Sequence, residues 1–222
     1  MQQSIKLVIF DWDGTLMNSG QRIHDCMAAA IAEVGLPVPD SQAILSRIGL
    51  GLPEYLMDLL PQASAQERQQ VRQNYVDYFI AAEQQPSPLF SGAEQVLEQL
   101  QQAGLSLAVA TGKSRRGLNR VFAKTGLDRY FAHSRCADET ASKPDPLMLY
   151  QLLEVAQVQA SEAVMVGDTS YDMAMAQAAA MPRVAVTYGV HDVARLSAYP
   201  LDGVLEDIRA LPHWLSTRGV KV

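Results

Sequence analysis

The strongest constraint on the fold is a short apolar run near the start of the chain that ends in two acidic residues. Leu7 to Phe10 are four consecutive apolar residues, which favours a strand buried on both faces. The run leads directly into Asp11-Trp12-Asp13-Gly14-Thr15, where one residue separates two carboxylates. In an open parallel sheet, ligands bind beyond the carboxyl ends of the strands. This stretch therefore predicts a strand that ends in a functional site.

Composition restricts the class of partner. An apolar content of 48% over 222 residues is ample for a packed core. The net charge of -6 argues against nucleic-acid and anionic-membrane partners, because binding either polyanion relies on a basic patch. Two cysteines, the absence of a long apolar run and the lack of a signal-peptide pattern before Asp11 favour a reduced, cytoplasmic location without a membrane span. We expect a small-molecule partner. The sequence does not decide the oligomeric state, and a monomer and a dimer are both compatible with it.

The chain divides into a helical stretch and a stretch in which strands and helices alternate. Between Leu16 and Gln85 the apolar spacing predicts helices only, and Gln85-Pro86-Ser87-Pro88 closes the stretch. The predicted helices span about 21–34, 41–47, 53–59 and 65–83. We interpret residues 17–87 as an insertion into a core built from residues 1–16 and 88–222.

The second stretch predicts an α/β fold with a doubly wound, Rossmann-like parallel sheet. Ser91 and Glu94 have the spacing of a capping box, and Asp145-Pro146 is typical of a helix start. Further strands are predicted near 105–110, 131–136, 163–166 and 184–186, and a last helix near 208–216. Because right-handed crossovers with short connections leave few topologies, helices are expected on both faces of the sheet.

Several acidic residues follow strands of this predicted sheet. Asp11 and Asp13 follow the first strand, Asp168 follows the fourth, and Asp172 comes one helical turn after Asp168. Crowded carboxylates repel one another unless a cation lies between them, and an all-oxygen ligand set suits Mg²⁺. For any one of these acids alone, helix capping or exposure to solvent is the simpler interpretation.

Candidate anion-binding groups reach the same edge. Thr111 and Ser114 lie where the second strand gives way to a helix, and free N–H groups at a helix start bind anions. Lys143 precedes another helix start. Ordinary capping by Ser114 and a solvated Lys143 are the alternatives. Transfer of a phosphoryl group requires such a set of groups around one carboxylate: a cation, a hydroxyl, backbone donors and an ammonium.

These residues form four motifs in one order, spanning nearly the whole chain. They are Asp11-Trp12-Asp13-Gly14-Thr15, Ala110-Thr111-Gly112-Lys113, Lys143-Pro144, and Gly167-Asp168 with Asp172. In this set the chain resembles the haloacid dehalogenase superfamily, in its branch similar to phosphoglycolate phosphatase. The resemblance implies that residues 17–87 form a helical cap that closes over the substrate.

The resemblance also implies residue roles. Asp11 would be the nucleophile, and Asp13 would protonate the leaving alcohol and then activate water. Asp11, the Asp13 carbonyl and Asp168 would bind Mg²⁺, with Asp172 binding directly or through water. The phosphoryl oxygens would be held by further residues, which are Thr111, Gly112 and Lys143.

The implied function is Mg²⁺-dependent hydrolysis of a small phosphorylated metabolite, phosphoglycolate-like, a sugar phosphate or a nucleotide, through an aspartyl-phosphate. Trp12 occurs in phosphonate-cleaving relatives, but those have Ala at the position of Asp13, and dehalogenases also lack this second Asp. The alternatives are a phosphomutase similar to β-phosphoglucomutase, a pyrophosphatase, and a receiver-like or binding module, although receiver domains are much shorter and lack the insertion.

Specificity predictions rest on weaker patterns. Arg47 is a candidate for the far end of the substrate, with a solvated helix-end cation as the equal alternative. Lys113 is a candidate for positive charge at the cleft mouth. Arg115 and Arg116 are adjacent, so they are expected to point to different sides. Tyr75 and Phe79 are interpreted, with Met173 and Met175, as core packing, and no histidine is assigned chemistry.

Overall fold

The computed structural model describes residues 4–85 and 87–222. Residues 1–3 lie outside these ranges, and they belong to the predicted core and to the stretch used to judge a signal peptide. Pro86 of the predicted closing loop also lies outside them. Within them, no helix is both long and apolar enough to cross a membrane.

A six-stranded parallel sheet forms the centre of the fold, in the order β3-β2-β1-β4-β5-β6. The strands are β1 (Leu7–Phe10), β2 (Ser106–Thr111), β3 (His133–Cys136), β4 (Ala163–Gly167), β5 (Arg183–Val186) and β6 (Gly203–Leu205). Strand β1 lies between β2 and β4, with Phe10 opposite Val109 and Val166. The predicted α/β class is confirmed, and the residues that follow β1, β2 and β4 leave the sheet side by side.

The side chains of β1 alternate between two cores. Val8 and Phe10 belong to one apolar cluster, and Leu7 and Ile9 belong to the other. Helices α5 (Ala93–Gln102), α6 (Arg115–Thr125) and α10 (Leu211–Ser216) pack in the first cluster, and α7 (Leu147–Ala156) and α8 (Ser170–Ala178) in the second. All four β1 residues are fully buried, which confirms a strand covered on both faces.

A helical segment follows β1 and has its own apolar core. It contains α1 (Gly20–Glu33), α2 (Ser41–Leu45), α3 (Leu52–Leu59) and α4 (Ala65–Ala82), close to the predicted bounds. Ser64 and Glu67 form a capping box at the start of α4. Among the described residues, only Val190 joins this cluster from outside the segment. The domain bounds at 16 and 88 stay a prediction that this separate core supports.

Some local predictions were wrong. The capping box at Ser91 does not form, because Gly92 has a φ of 80° and α5 begins at Ala93 without a side-chain cap. Asp145 accepts a hydrogen bond from the Leu147 N–H at 2.9 Å, so α7 begins after Pro146. The short edge strand β6 and the one-turn helix α9 (Val193–Leu196) were not predicted.

Candidate active site

The carboxyl ends of β1 and β4 bring the first and last motifs together. The Asp11 N–H donates to the Val166 carbonyl at 2.9 Å, and the Thr15 hydroxyl donates to Asp168 Oδ1 at 2.8 Å. Gly14 has a φ of 92°, and a Cβ there would lie 2.2 Å from Asp168 Oδ2. Only glycine therefore permits the turn after β1 to approach Asp168 so closely.

Three buried carboxylates form the centre of the site. Asp11, Asp168 and Asp172 place one oxygen each within 4.8 Å of one another, and all three side chains are buried. Burial, reinforced by the charge of Asp172, raises the pKa of Asp168 to about 7. Burial likewise raises the pKa of Asp11, although Lys143 opposes the effect. Asp11 Oδ2 has no hydrogen-bond partner within the described ranges. An all-carboxylate cluster with an unpartnered oxygen fits Mg²⁺.

Lys143 is buried between two of these acids. Its Nζ lies 2.5 Å from Asp11 Oδ1 and 2.6 Å from Asp172 Oδ1, and the side chain is fully buried. Burial alone would lower the pKa of Lys143, but the charges of Asp11 and Asp172 raise it above its usual value. Lys143 is therefore an ammonium group that partly neutralises the cluster, and the alternative of a solvated lysine is wrong.

Asp172 both caps a helix and belongs to the acidic cluster. The Thr169 hydroxyl accepts from the Asp172 N–H at 3.2 Å, and Asp172 Oδ2 accepts from the Thr169 N–H at 3.1 Å, so Asp172 completes a capping box for α8. Its other oxygen, Oδ1, binds Lys143. The capping bonds fix the rotamer, and the rotamer directs the second oxygen into the site.

Asp13 has both carboxylate oxygens held by neighbours. Lys113 Nζ lies 2.9 Å from Asp13 Oδ2, and the Ser19 hydroxyl donates to Asp13 Oδ1 at 2.6 Å. Ser19 precedes α1 but makes no capping hydrogen bond, because its hydroxyl is engaged by Asp13. Sequence reasoning missed Ser19, since a serine before a helix usually indicates a cap.

The loop after β2 contacts the helical segment. Thr111 is buried, and its hydroxyl accepts from the Lys113 N–H at 3.2 Å. A Cβ at Gly112 would lie 2.5 Å from the carbonyl oxygens of Gly49 and Leu50. Ser114 caps α6, which confirms the simpler interpretation for that residue. Glycine at position 112 thus lets the segment lie directly on the β2 loop.

A cavity of about 520 Å³ lies between the helical segment and the sheet edge. Asp11, Asp13 and Thr111 line it on the sheet side. The opposite side is mainly apolar, lined by Ile23, Met27, Ile48, Leu50, Leu52, Pro53, Tyr55, Tyr75, Val76, Phe79 and Ile80. Tyr75 and Phe79 therefore face a cavity in addition to packing in the segment core, which the core-packing interpretation did not anticipate. Met173 and Met175 are fully buried, as expected.

Arg47 does not reach this cavity. Its Nε lies 2.6 Å from Asp58 Oδ2, and its Nη1 donates to the Ala43 carbonyl at 2.7 Å. These contacts hold the end of α2 against α3, and Arg47 is not among the residues that line the cavity. These contacts do not support the substrate-binding role of Arg47, which stays a prediction.

Other cations line the cavity instead. Lys113 pairs with Asp13, and Arg120 pairs with the buried Glu83 at the end of α4. Arg72 and Arg116 are exposed at the rim, and neither makes an ion pair in the part of the chain that the structure describes. Their position depends on how α4 faces α6, which the sequence does not reveal.

The paired arginines diverge as expected. Arg115 binds Glu139 at 2.8 Å and Ser134 Oγ at 2.8 Å, away from the cavity, whereas Arg116 lines it. Among the histidines, His191 is buried, with Nδ1 accepting from the Ser170 N–H and Nε2 2.8 Å from the Ser46 carbonyl. Burial lowers the pKa of His191, so it is a neutral link between α8 and the helical segment.

Comparisons with known proteins agree with this geometry. A family model described as haloacid dehalogenase-like hydrolase matches residues 8–186. A phosphoglycolate phosphatase of Vibrio parahaemolyticus is 30% identical over 218 residues, covering 95% of this chain and 96% of that protein. A probable phosphatase IndB of Dickeya dadantii is 34% identical over 197 residues, covering 86% and 85%.

Solved structures show the same fold. A predicted phosphoglycolate phosphatase from Haemophilus somnus 129PT superposes with a TM-score of 0.87 at 22% identity, covering 96% of this chain and 99% of that one. A hydrolase from Pseudomonas syringae gives 0.86 at 22% identity, covering 97% and 99%. The family match extends from β1 to β5 and includes all four motifs. The chain therefore belongs to the haloacid dehalogenase-like hydrolase family and is an enzyme.

Proposed function

We propose that the protein is a Mg²⁺-dependent phosphatase that hydrolyses a small-molecule phosphomonoester through an aspartyl-phosphate. The observation that carries the proposal is Asp11, whose carboxylate lines the cavity while Lys143 holds one of its oxygens. Relatives named phosphoglycolate phosphatase and probable phosphatase support the reaction class. A phosphorylated metabolite such as phosphoglycolate, a sugar phosphate or a nucleotide is the expected partner.

The acidic cluster would hold the metal. Asp11 and Asp168 would bind through their side chains and Asp13 through its carbonyl, with Asp172 binding directly or through water. When bound, Mg²⁺ supplies positive charge that offsets the repulsion among these acids and the charge of the phosphoryl group. The raised pKa values of Asp11 and Asp168 support a cation at this position.

The first step transfers the phosphoryl group to Asp11. A carboxylate oxygen of Asp11 forms a bond to phosphorus while the bond from phosphorus to the alcohol oxygen breaks. Asp13 gives its proton to that oxygen, so the alcohol leaves neutral. Thr111, the Gly112 N–H and Lys143 hold the phosphoryl oxygens.

The second step releases phosphate. Asp13, now a carboxylate, takes a proton from water while the water oxygen bonds to phosphorus. The bond between phosphorus and Asp11 breaks, which restores the Asp11 carboxylate and frees inorganic phosphate. Ser19 and Lys113 hold the Asp13 oxygens, which supports one carboxyl group acting in both steps. Residues 17–87 would form the cap that excludes bulk water during the first step.

The test is hydrolysis of p-nitrophenyl phosphate. We expect turnover with Mg²⁺, none in excess EDTA, and a kcat more than about 10⁴-fold lower for Asp11→Asn. The control is Asp77→Asn, because Asp77 is an exposed acid on α4 whose hydrogen bonds, among the described residues, come from Gln73 alone. Full activity in EDTA or in Asp11→Asn would contradict the proposed mechanism.

A further inference from the structure

The cavity is larger and more apolar than a two-carbon phosphorylated acid requires. Its volume of about 520 Å³ lies within the range of about 300–1,000 Å³ that is typical of pockets for drug-sized ligands. Twelve of its lining residues are apolar or aromatic, and the helical segment supplies all of them except Ala137. Water in contact with such a wall is displaced favourably by an apolar ligand body.

The direction in which the leaving group extends follows from Asp13. Asp13 lies at the leaving-group oxygen in the proposed reaction, and Lys113 Nζ lies 2.9 Å from its carboxylate. The same Nζ lies 4.9 Å from the centre of the Phe79 ring. The Phe79 ring is in turn 5.7 Å from the Tyr75 ring, one helical turn back on α4. Carbon atoms attached to the leaving oxygen therefore begin beside an aromatic wall.

Tyr75 adds a polar group to this wall. No hydrogen bond of its hydroxyl is found within residues 4–85 and 87–222, although the ring lines the cavity. Burial, with a contribution from the charge of Asp13, raises the pKa of the Tyr75 phenol. At neutral pH the hydroxyl is thus a proton donor available to a heteroatom of a bound ligand.

We propose that the substrate is the phosphomonoester of an alcohol that carries a ring, which packs against Tyr75 and Phe79, rather than a short acyclic acid or polyol. This inference rests on the proposed phosphatase function and narrows its substrate class. The ring edge or face contacts the aromatic side chains, while Leu50 and Val76 contribute the remaining apolar surface.

The experiment compares benzyl phosphate with ethyl phosphate, both esters of primary alcohols that differ in the ring. We expect kcat/KM to be about 10- to 100-fold higher for benzyl phosphate, because its leaving group buries much more apolar surface in the cavity than an ethyl group does. The Tyr75→Ala variant should lose most of that ratio. Tyr78→Ala is the matched control, since Tyr78 lies on the same helix but binds Glu33 outside the cavity, and it should keep the ratio.

Binding supplies a readout that does not depend on turnover. In calorimetry with Mg²⁺, benzylphosphonate should bind the unaltered protein about 10-fold or more tightly than ethylphosphonate. Equal affinities for the two phosphonates would overturn the ring proposal. Equal kcat/KM values for the two esters, with ethyl phosphate turned over as readily as benzyl phosphate, would also overturn it and would leave the phosphatase function intact. Tighter binding of benzylphosphonate without hydrolysis of either ester would overturn the phosphatase function and keep the ring site.

Discussion

The two walls of the cavity differ in how they use charge. On the sheet wall, Lys143 lies between Asp11 and Asp172, and Lys113 pairs with Asp13. On the helical wall the lining is mostly apolar, and its rim arginine, Arg72, has no ion-pair partner within the described residues. A wall with fixed charges orients a reaction, whereas an apolar wall with a free cation distinguishes ligands by shape and by a distant charge. Under the proposed function, the sheet wall would carry the chemistry and the helical wall would select the substrate.

After the loss predicted for Asp11→Asn, the largest expected effect concerns Asp13 on the sheet wall. Asp13→Asn should lower kcat by about 10²–10⁴-fold, because the amide cannot transfer a proton. The loss should be greater with ethyl phosphate than with p-nitrophenyl phosphate, since nitrophenolate leaves without needing a proton. Steady-state kinetics on both esters measures this difference. An equal loss with both esters would mean that Asp13 acts only by position.

Lys143 should matter for stability as well as for phosphate binding. Lys143→Met leaves Asp11 and Asp172 buried without their partner, and breaking a buried pair in this way costs about 3–5 kcal/mol. Urea denaturation should show this decrease in the free energy of unfolding. Lys6→Met is the control, because Lys6 forms an exposed pair with Glu162 that contributes about 0–1 kcal/mol. Similar losses in both variants would remove the distinction between the buried and exposed charges.

Mg²⁺ should stabilise the protein more at pH 8 than at pH 6. The pKa of Asp168 is raised to about 7, above its usual value of 3.8. The folded state therefore holds a proton more tightly than the unfolded chain, so metal-free stability falls as pH rises from about 4 through 7. Mg²⁺ relieves the repulsion that remains above pH 7, and protons compete with it below. Thermal denaturation with and without Mg²⁺ at both pH values measures the shift, and a larger shift at pH 6 would contradict this linkage.

The smallest effect separates two arginines of the helical segment. We compare benzyl phosphate with a benzyl phosphate that carries a carboxylate on its ring. Arg72→Ala should lower kcat/KM about 3- to 10-fold more for the carboxylated ester. A loss of this size is expected for a partly exposed charge pair. Arg47→Ala should change both values equally, because Arg47 is engaged by Asp58. The ratio of the two substrates in each variant gives the result, and a selective loss in Arg47→Ala would reverse the assignment of these residues.

The placement of the residues at the sheet edge was predictable from the sequence. The apolar run before Asp11 indicated a buried strand, and the positions of Thr111, Asp168 and Asp172 after later strands or within the next helix indicated a common edge. These inferences hold because a parallel sheet places all its carboxyl ends on one side. The roles of the individual residues stay predictions, which the contacts of Lys143 support.

The lining of the helical wall was not predictable in the same way. Tyr75 and Phe79 lie one turn apart on α4, and that spacing is the same for a residue that faces a cavity and one that fills a core. The pairing of Arg47 with Asp58 in α3 was not predictable, because the partner of a long side chain depends on packing. The cap at Ser91 was wrongly predicted because the sequence does not reveal that Gly92 has a positive φ, nor that a Cβ there would lie 2.4 Å from Arg209 Cγ.

The lack of a side chain at Gly112 allows the two walls to lie close together. The carbonyl oxygens of Gly49 and Leu50 lie where its side chain would begin, so the helical segment rests on the bare backbone of the β2 loop. A methyl group at this position would clash with those carbonyl oxygens and increase the distance between the segment and the sheet. If the segment is the proposed cap, Gly112→Ala would admit water to Asp11 without changing any group that forms or breaks a bond to phosphorus.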